Sequence, residues 1–479
     1  GGLMPLILPG NVASATAAVG YDVANSCRFN SVVVTYMDRT IESPTLGTKW
    51  TVSFWVKKDL NGDYHHILTS TANPGNWDSI RFDMYDNFQV LLYGLGVNLT
   101  TNRKFRDNSA WYNIVVAVDT TQGTAANRLK LYVNGTQETS FSTETYPDQN
   151  LIVNYQVSGK TLRIGANAWD VSSGHEMLGG YLAEVFFIDG VAHAASDFGE
   201  FDEDSPTIWK PKDCSGDFTY GTNGFYLDFA DSGDFGDDES GNGNDFSETG
   251  MEAIDQATDT PTNNFCTFNP LIPNTAITYS EGNLQVVSTS GGGYYAAVGT
   301  IGTQSGKWYC EMNASDGFVG GDKGCGIYRL DNAYGATTGL GNYTTGTTWS
   351  YSCSGYVRTN NATTDNEATF TDGDIIGIAM DLDNNKLYWA KNNTWINSGD
   401  PESGATGTGS YAIVAGDFYT FAVTVINDGA EDPVWQANFG SPMYANSSDA
   451  ADENGYGAFE YAPPSGYYAL CTKNLAEFG

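Results

Sequence analysis

The feature that most constrains this chain is its rhythm. Short runs of β-branched and aromatic residues are each stopped by Gly, Asn or Asp, and no long helical period interrupts them. Trp50-Thr51-Val52-Ser53-Phe54-Trp55-Val56 and Trp111 to Val118 are such runs. Leu129-Lys130-Leu131-Tyr132-Val133 leads into Asn134-Gly135, a pair that accepts the positive φ a tight hairpin requires. Tyr181 to Ile188 likewise ends on Asp189-Gly190. Further along, Lys307 to Met312, Asp374 to Met380, Lys386 to Ala390 and Phe418 to Val425 repeat the pattern, with Asp381 to Asn385 as a polar turn. This spacing predicts an all-β chain of antiparallel sandwiches.

Texture divides the chain. Residues 21–200 and 266–441 carry the strand signals and are expected to form two sandwiches. Residues 201–265 are acidic and Gly/Asp-rich, above all from Asp231 to Asp245, and read as a connector. Its Phe225, Tyr226 and Phe229 are expected to dock onto a neighbouring domain. Residues 1–20 read as an anchor segment: Leu3-Met4-Pro5-Leu6-Ile7-Leu8-Pro9 is apolar and proline-stiffened, too short and without the basic flank of a secretory signal. The alternative is that it returns to its own domain as an extra edge strand. Residues 442–479 form a tail, with Tyr467 to Cys471 as a last strand.

Charge narrows the partners. With 57 acidic against 22 basic residues the formal net charge is −35, and no Lys/Arg cluster exists to release phosphate counterions. Nucleic acid and anionic bilayers are therefore unexpected partners. Such a field suits a saline habitat, where the screening length shrinks to about 3 Å at 1 M salt. No run of about 18 apolar residues occurs, so no membrane-spanning helix is expected. The seven cysteines are odd in number and scattered singly, which predicts buried free thiols rather than a disulfide framework or a zinc ribbon.

Several segments carry family resemblance. Thr51 to Val56, Trp111 to Val116, Leu131-Tyr132-Val133-Asn134-Gly135 and Gly179-Gly180-Tyr181-Leu182-Ala183-Glu184-Val185 resemble, in this order, the laminin-G/concanavalin-A-like jelly roll of lectins and glucanases. Gly306-Lys307-Trp308-Tyr309-Cys310-Glu311, Gly324-Cys325-Gly326-Ile327, Gly373-Asp374-Ile375-Ile376-Gly377 and Asn438-Phe439-Gly440 resemble a SPRY domain. Met4 to Pro9, Tyr21 to Ser26, Gly224 to Phe229, Ser240 to Phe246 and Leu470 to Leu475 are similar to virion structural proteins of marine bacteriophages. That resemblance implies a tail fibre, head fibre or capsid knob on the virion surface. Its partners would be other virion proteins and a host cell-surface glycan or receptor.

Candidate sites are few. A retaining glucanase needs two carboxylates about 5–5.5 Å apart, supplied in the resembling enzymes by a Glu-x-Asp-x-x-Glu strand. Here Glu200-Phe201-Asp202-Glu203-Asp204-Ser205 ends in serine, so no catalytic residue is expected. Only His65, His66, His175 and His193 could serve a nucleophilic triad, and His65-His66 read as surface decoration of a strand. No zinc spacing is present. No cofactor is expected; calcium in Asp231–Asp245 or Asp381–Asn385 is the alternative. Glycan platforms combine aromatics with amides and carboxylates. That chemistry nominates Trp77 and Asp78, Trp169 and Asp170, Tyr334, Tyr343, Tyr351 and Trp395 as ligand-binding candidates. The expected function is non-enzymatic adhesion on a phage virion, working as a homo-oligomer, a trimer for choice. A bacterial carbohydrate-processing enzyme or secreted carbohydrate-binding module is the rival.

Overall fold

The computed structural model describes residues 7, 20–73, 76–168, 176–272, 276–288, 293–330, 339–341, 348–359, 362–426 and 432–479. The chain divides into two units, residues 16–262 and residues 1–15 together with 263–479.

The first unit is a sandwich of two eight-stranded sheets. Sheet 1 runs Thr136–Gln137, Leu129–Val133, Tyr112–Asp119, Lys49–Lys58, Gly180–Asp189, Ser26–Phe29, Gln256–Ala257, with Phe225–Leu227 also paired to Gly180–Asp189. Sheet 2 runs Phe141–Thr145, Val97–Lys104, Asn87–Leu92, Asn76–Phe82, His65–Asn73, Thr161–Ile164, Tyr36–Thr40, Ser247–Thr249. Successive strand residues point to opposite faces, so every second side chain enters the core. Val52, Phe54, Ile114, Leu182 and Phe187 come from sheet 1 and meet Met37, Leu68, Ile80, Phe82, Val90 and Leu99 from sheet 2. Burying one such side chain is worth about 1.5–3 kcal/mol. The expected hairpin is present: Asn134 and Gly135 have φ of 46° and 74°. A Cβ on Gly135 would also lie 2.3 Å from the Trp209 ring, so the turn tolerates no side chain there.

The stretch expected to be a connector is part of this sandwich as far as Thr262. Phe225–Leu227 and Gln256–Ala257 extend sheet 1, and Ser247–Thr249 closes an edge of sheet 2. Phe225, Phe229, Phe235 and Phe246 enter the core. The aspartates that make the segment look like a linker close its turns instead. Asp238 alone accepts the backbone N–H groups of Tyr226, Ser240 and Asn244.

The second unit is also a sandwich. One sheet runs Ile277–Ser280, Gln285–Ser288, Val434–Asn438, Lys307–Asp316, Ile375–Asp381, Lys386–Lys391, Thr394–Trp395. The other runs Tyr294–Val298, Tyr419–Ile426, Gly324–Arg329, Thr348–Ser352, Tyr356–Thr359, Ala362–Asn366. Indole N–H groups tie the sheets together: Trp389 donates to the Cys325 carbonyl at 3.1 Å and Trp435 to that of Thr424 at 2.9 Å. A Cβ on Gly326 would sit 2.1 Å from the Trp349 carbonyl oxygen and 3.2 Å from the Trp389 ring, which explains a glycine inside that strand.

The tail is woven into this unit rather than trailing from it. Tyr468–Ala469 pairs in parallel with Trp308 and Tyr309, and Thr472–Phe478 is a short helix. Buried Glu311 accepts the backbone N–H groups of Glu460 at 2.9 Å and Tyr461 at 2.8 Å, and the Asn438 amide at 3.1 Å. Removal from water pushes its carboxyl up to about 7. Ile7 makes a parallel bridge with Ile301, donating to the Thr300 carbonyl at 3.0 Å. That contact lies within the second unit. All seven cysteines are buried free thiols.

Candidate ligand-binding face

The two outer faces of the first sandwich differ in chemistry. On sheet 1 the outward residues Trp55, Trp111, Tyr181 and Phe186 are buried with Phe198, Trp209, Tyr220 and Tyr226. Phe186 stacks on Tyr226 at 4.3 Å between ring centroids. The polar groups under this layer are paired. Lys57 and Asp259, each 1% exposed, form an ion pair at 2.6 Å, and the Trp111 indole donates to Asp259 at 2.9 Å. Glu184 stands at a bulge with φ of 52° and accepts from the hydroxyls of Tyr226 at 2.9 Å and Tyr21 at 3.1 Å. Burial raises its carboxyl to about 7.

Sheet 2 presents polar and aromatic groups outward, opposite core residues Ile80, Phe82, Phe88 and Val90. Strand register lines up His66, Arg81, Gln89 and Thr100 as one cross-strand row. Arg81 donates through Nε to Gln89 Oε1 at 2.9 Å. Gln89 donates to the Thr100 hydroxyl at 3.0 Å, and that hydroxyl donates to Asn98 Oδ1 at 2.7 Å. A guanidinium only donates, so His66 accepts from Arg81 at Nε2, 3.4 Å away, and carries its proton on Nδ1, facing the Ser79 hydroxyl at 2.9 Å. Burial first, then the Arg81 charge, holds this imidazole neutral, well below its ordinary range.

Aromatic rings flank the row. The Arg81 guanidinium lies 4.3 Å from the Tyr64 ring centroid and 5.5 Å from that of Trp77. Trp77 stacks on Tyr93 at 4.9 Å with 8° between the planes, and Tyr93 is 57% exposed. Beside them Arg163 pairs with Asp38 at 2.7 Å and lies 4.0 Å over the Tyr36 ring. The Tyr36, Tyr64 and Trp77 rings of this face are half-buried, while His66, Arg81, Gln89 and Thr100 are buried beside them.

The nominated residues separate sharply. Trp77 belongs to this face, in a strand rather than a loop. Its neighbour Asp78 is a correction: it is buried, accepts the Asn154 backbone N–H at 2.7 Å and side-chain amide at 3.1 Å, and is raised by burial to about 7. One residue along a strand reverses the face, which removes Asp78 from any ligand. Trp169, Asp170, Tyr334 and Tyr343 lie outside the described residues. Tyr351 is fully buried core, packed edge-on against Phe370 at 5.2 Å. Trp395 lines a cleft of about 380 Å³ in the second unit with Pro401, Glu402, Ala462, Pro463 and Pro464. Residues missed by sequence reading are Tyr64, Arg81, Gln89, Tyr93, Asn98 and Thr100. Their signal is alternation opposite apolar partners, legible only once the strand register is known.

Other expectations also move. His65 and His66 are buried, not surface decoration. His65 accepts the Gly179 N–H at Nδ1, 3.2 Å away, and its Nε2 faces the Leu60 carbonyl at 3.1 Å; burial lowers it to about 3. The acidic hexapeptide is a hairpin turn: Asp202 accepts the N–H groups of Asp204 and Ser205 and, with Glu200, pairs with Lys210. The Ser205 N–H holds its carboxyl below the ordinary range, the wrong direction for a general acid. In the second candidate calcium loop, Asp381 accepts from Asn384 and pairs with Lys307 at 3.4 Å. Among the described residues no three His, Cys, Asp or Glu side chains converge as a metal site.

Strand order and core define a chain of two antiparallel β-sandwiches, the first with an aromatic and polar outer face. Residues 28–196 match the Concanavalin A-like lectin/glucanases superfamily through its Laminin_G_3 family. No curated protein matches the chain. Among solved structures it is similar to the SPRY domain of human HERC1, at 16% identity over 36% of this chain and 96% of that one, TM-score 0.29. It is similar to a heptameric SAP-like pentraxin from Limulus polyphemus, at 15% identity over 36% and 80% of the two chains, TM-score 0.28. A Bacteroides ovatus protein described as carbohydrate-binding shares 18% identity over 36% of this chain and 45% of its own, TM-score 0.26. Likenesses at this level carry nothing about ligand or partner.

Proposed function

We propose that this chain is a non-enzymatic adhesion protein on the surface of a phage particle, whose sheet 2 face binds host-surface glycan. The observation that carries the glycan reading is the row His66, Arg81, Gln89, Thr100 beside the Trp77–Tyr93 platform. Stacked rings cover the apolar face of a sugar while amides and hydroxyls meet its hydroxyls. The match of residues 28–196 to a superfamily of lectins and glucanases supports the same reading. The virion placement is supported by the sequence resemblance of the opening, the Gly224–Phe246 stretch and the tail. Shallow glycan contacts multiplied over a trimer would raise avidity by roughly 10²–10⁴.

The test joins binding to location. Purified protein is screened on an array of host-surface glycans beside Trp77→Ala, and antibody against the chain is located on intact particles by electron microscopy. Glycan binding lost in the variant, with label on particles, is the expected result. Binding that survives the substitution would move the site elsewhere. Release of reducing sugars by the purified chain would overturn the non-enzymatic part.

A further inference from the structure

We infer that Arg81 makes the sheet 2 face selective for glycans that carry an isolated carboxylate, a uronic-acid residue within an otherwise neutral chain. The inference rests on the glycan reading above and adds the ligand's charge. Its ground is a contrast between two arginines on one face. Arg163 lies 4.0 Å over the Tyr36 ring and has its carboxylate, Asp38, at 2.7 Å. Arg81 lies 4.3 Å over the Tyr64 ring and makes no ion pair among the described residues. One guanidinium N–H goes to Gln89 and one faces His66 at 3.4 Å; the others meet no acceptor among the described residues.

That arrangement is unusual for this composition. The chain has 57 acidic and 22 basic residues, so carboxylates outnumber their possible partners, yet among the described residues none forms an ion pair with Arg81. Arg81 is only 9% exposed, and its removal from water is costly; Glu176 and Asp83 act on its charge from beyond ion-pair distance and offset part of that cost. Ring faces recover part of that cost, and Gln89 holds the guanidinium in one orientation. A planar fork held still, with unspent N–H groups beside an aromatic platform, fits a two-oxygen anion carried on a sugar ring. His66 reinforces the choice, because as a neutral acceptor it adds no negative charge. Glu176, whose carboxylate comes within 3.8 Å of His66 Nε2, accepts from the Asn167 amide. At low ionic strength the net charge of −35 repels a dense polyanion, which favours an isolated carboxylate as ligand.

Calorimetric titration tests this with oligosaccharides ending in glucuronate, galacturonate or mannuronate, each beside its carboxyl-reduced twin. At least one acid should bind about tenfold or more tightly than its twin. Arg81→Gln should abolish that preference, so that acid and twin bind the variant alike. Arg81→Lys, which keeps the charge without the fork, should retain part of it and serves as the comparison if Arg81→Gln melts early. Trp77→Ala should weaken both members of a pair alike. Equal affinity of wild type for acid and twin, with both weakened by Trp77→Ala, would overturn the role of Arg81 and leave the glycan reading standing. No binding of any pair would sink the glycan reading and this inference with it.

Discussion

The first sandwich has two outer faces made by the same alternation, and they meet opposite fates. The sheet 1 face is closed over by a layer of Trp, Tyr and Phe and hides an ion pair. The sheet 2 face carries half-buried rings beside a buried row of imidazole, guanidinium, amide and hydroxyl groups. Both are rich in aromatics, so aromatic content alone does not mark a binding face. The difference lies in what surrounds the rings. Trp55, Trp111 and Phe186 have further rings to pack on, and packing excludes water. Trp77 stacks on Tyr93 beside polar neighbours, and Tyr93 keeps 57% of its surface exposed.

The largest expected effect breaks the closed face. Asp259→Ala leaves Lys57 buried and without this partner, and should destabilise the first unit by about 3–5 kcal/mol in urea denaturation. A loss below about 1 kcal/mol would mean that this pair does not hold the layer down.

A smaller effect concerns Glu184 and has a definite sign in pH. Its folded carboxyl is raised from 4.5 to about 7, so between those values the folded state keeps a proton that the unfolded state releases. Its contribution is therefore fully present below about pH 4.5 and is lost as pH rises through 7. Glu184→Gln should flatten the fall in stability over that window by the order of 1–3 kcal/mol relative to wild type. Asp78 and Glu311 titrate in the same window, so the difference between variant and wild type is the quantity to read. An unchanged slope would place the Glu184 carboxyl in contact with water.

The smallest expected change in stability is on the open face. Trp77→Ala removes a stacked ring that is only half buried, and should cost about 0.5–1.5 kcal/mol while glycan affinity falls at least about tenfold. Destabilisation as large as that of Asp259→Ala would make the sheet 2 face a folding element and erase the contrast.

Much of the strand framework was legible in the residues. The runs at Trp50–Val56, Leu129–Val133, Tyr181–Ile188 and Lys386–Ala390 all fall within observed strands. The segment from Asp231 to Asp245 has the composition of a connector, which averages away its aromatics, yet it belongs to the first unit. Phe235 and Phe246 are enough to seat it, and Asp238 supplies the acceptors its turns need. Of the described residues on the sheet 2 face that carry the proposal, only Trp77 was nominated by the sequence. Asp78, beside it, has the same polar credentials as a ligand-binding group and faces the core instead.

Local chemistry by itself determined where strands run and turn, because β-branched and aromatic runs and Asn-Gly pairs act over a few neighbouring residues. That all seven cysteines stay single is decided in the fold, where each is buried as a free thiol. Tertiary structure decided which face of each strand meets water. That choice depends on strand register, and a shift of one residue would exchange Trp77 for Asp78 on the open face. It also decided the chemistry of Arg81, whose rings, amide and imidazole come from positions 64, 66, 77 and 89 and meet only when three strands and the loop before them pair.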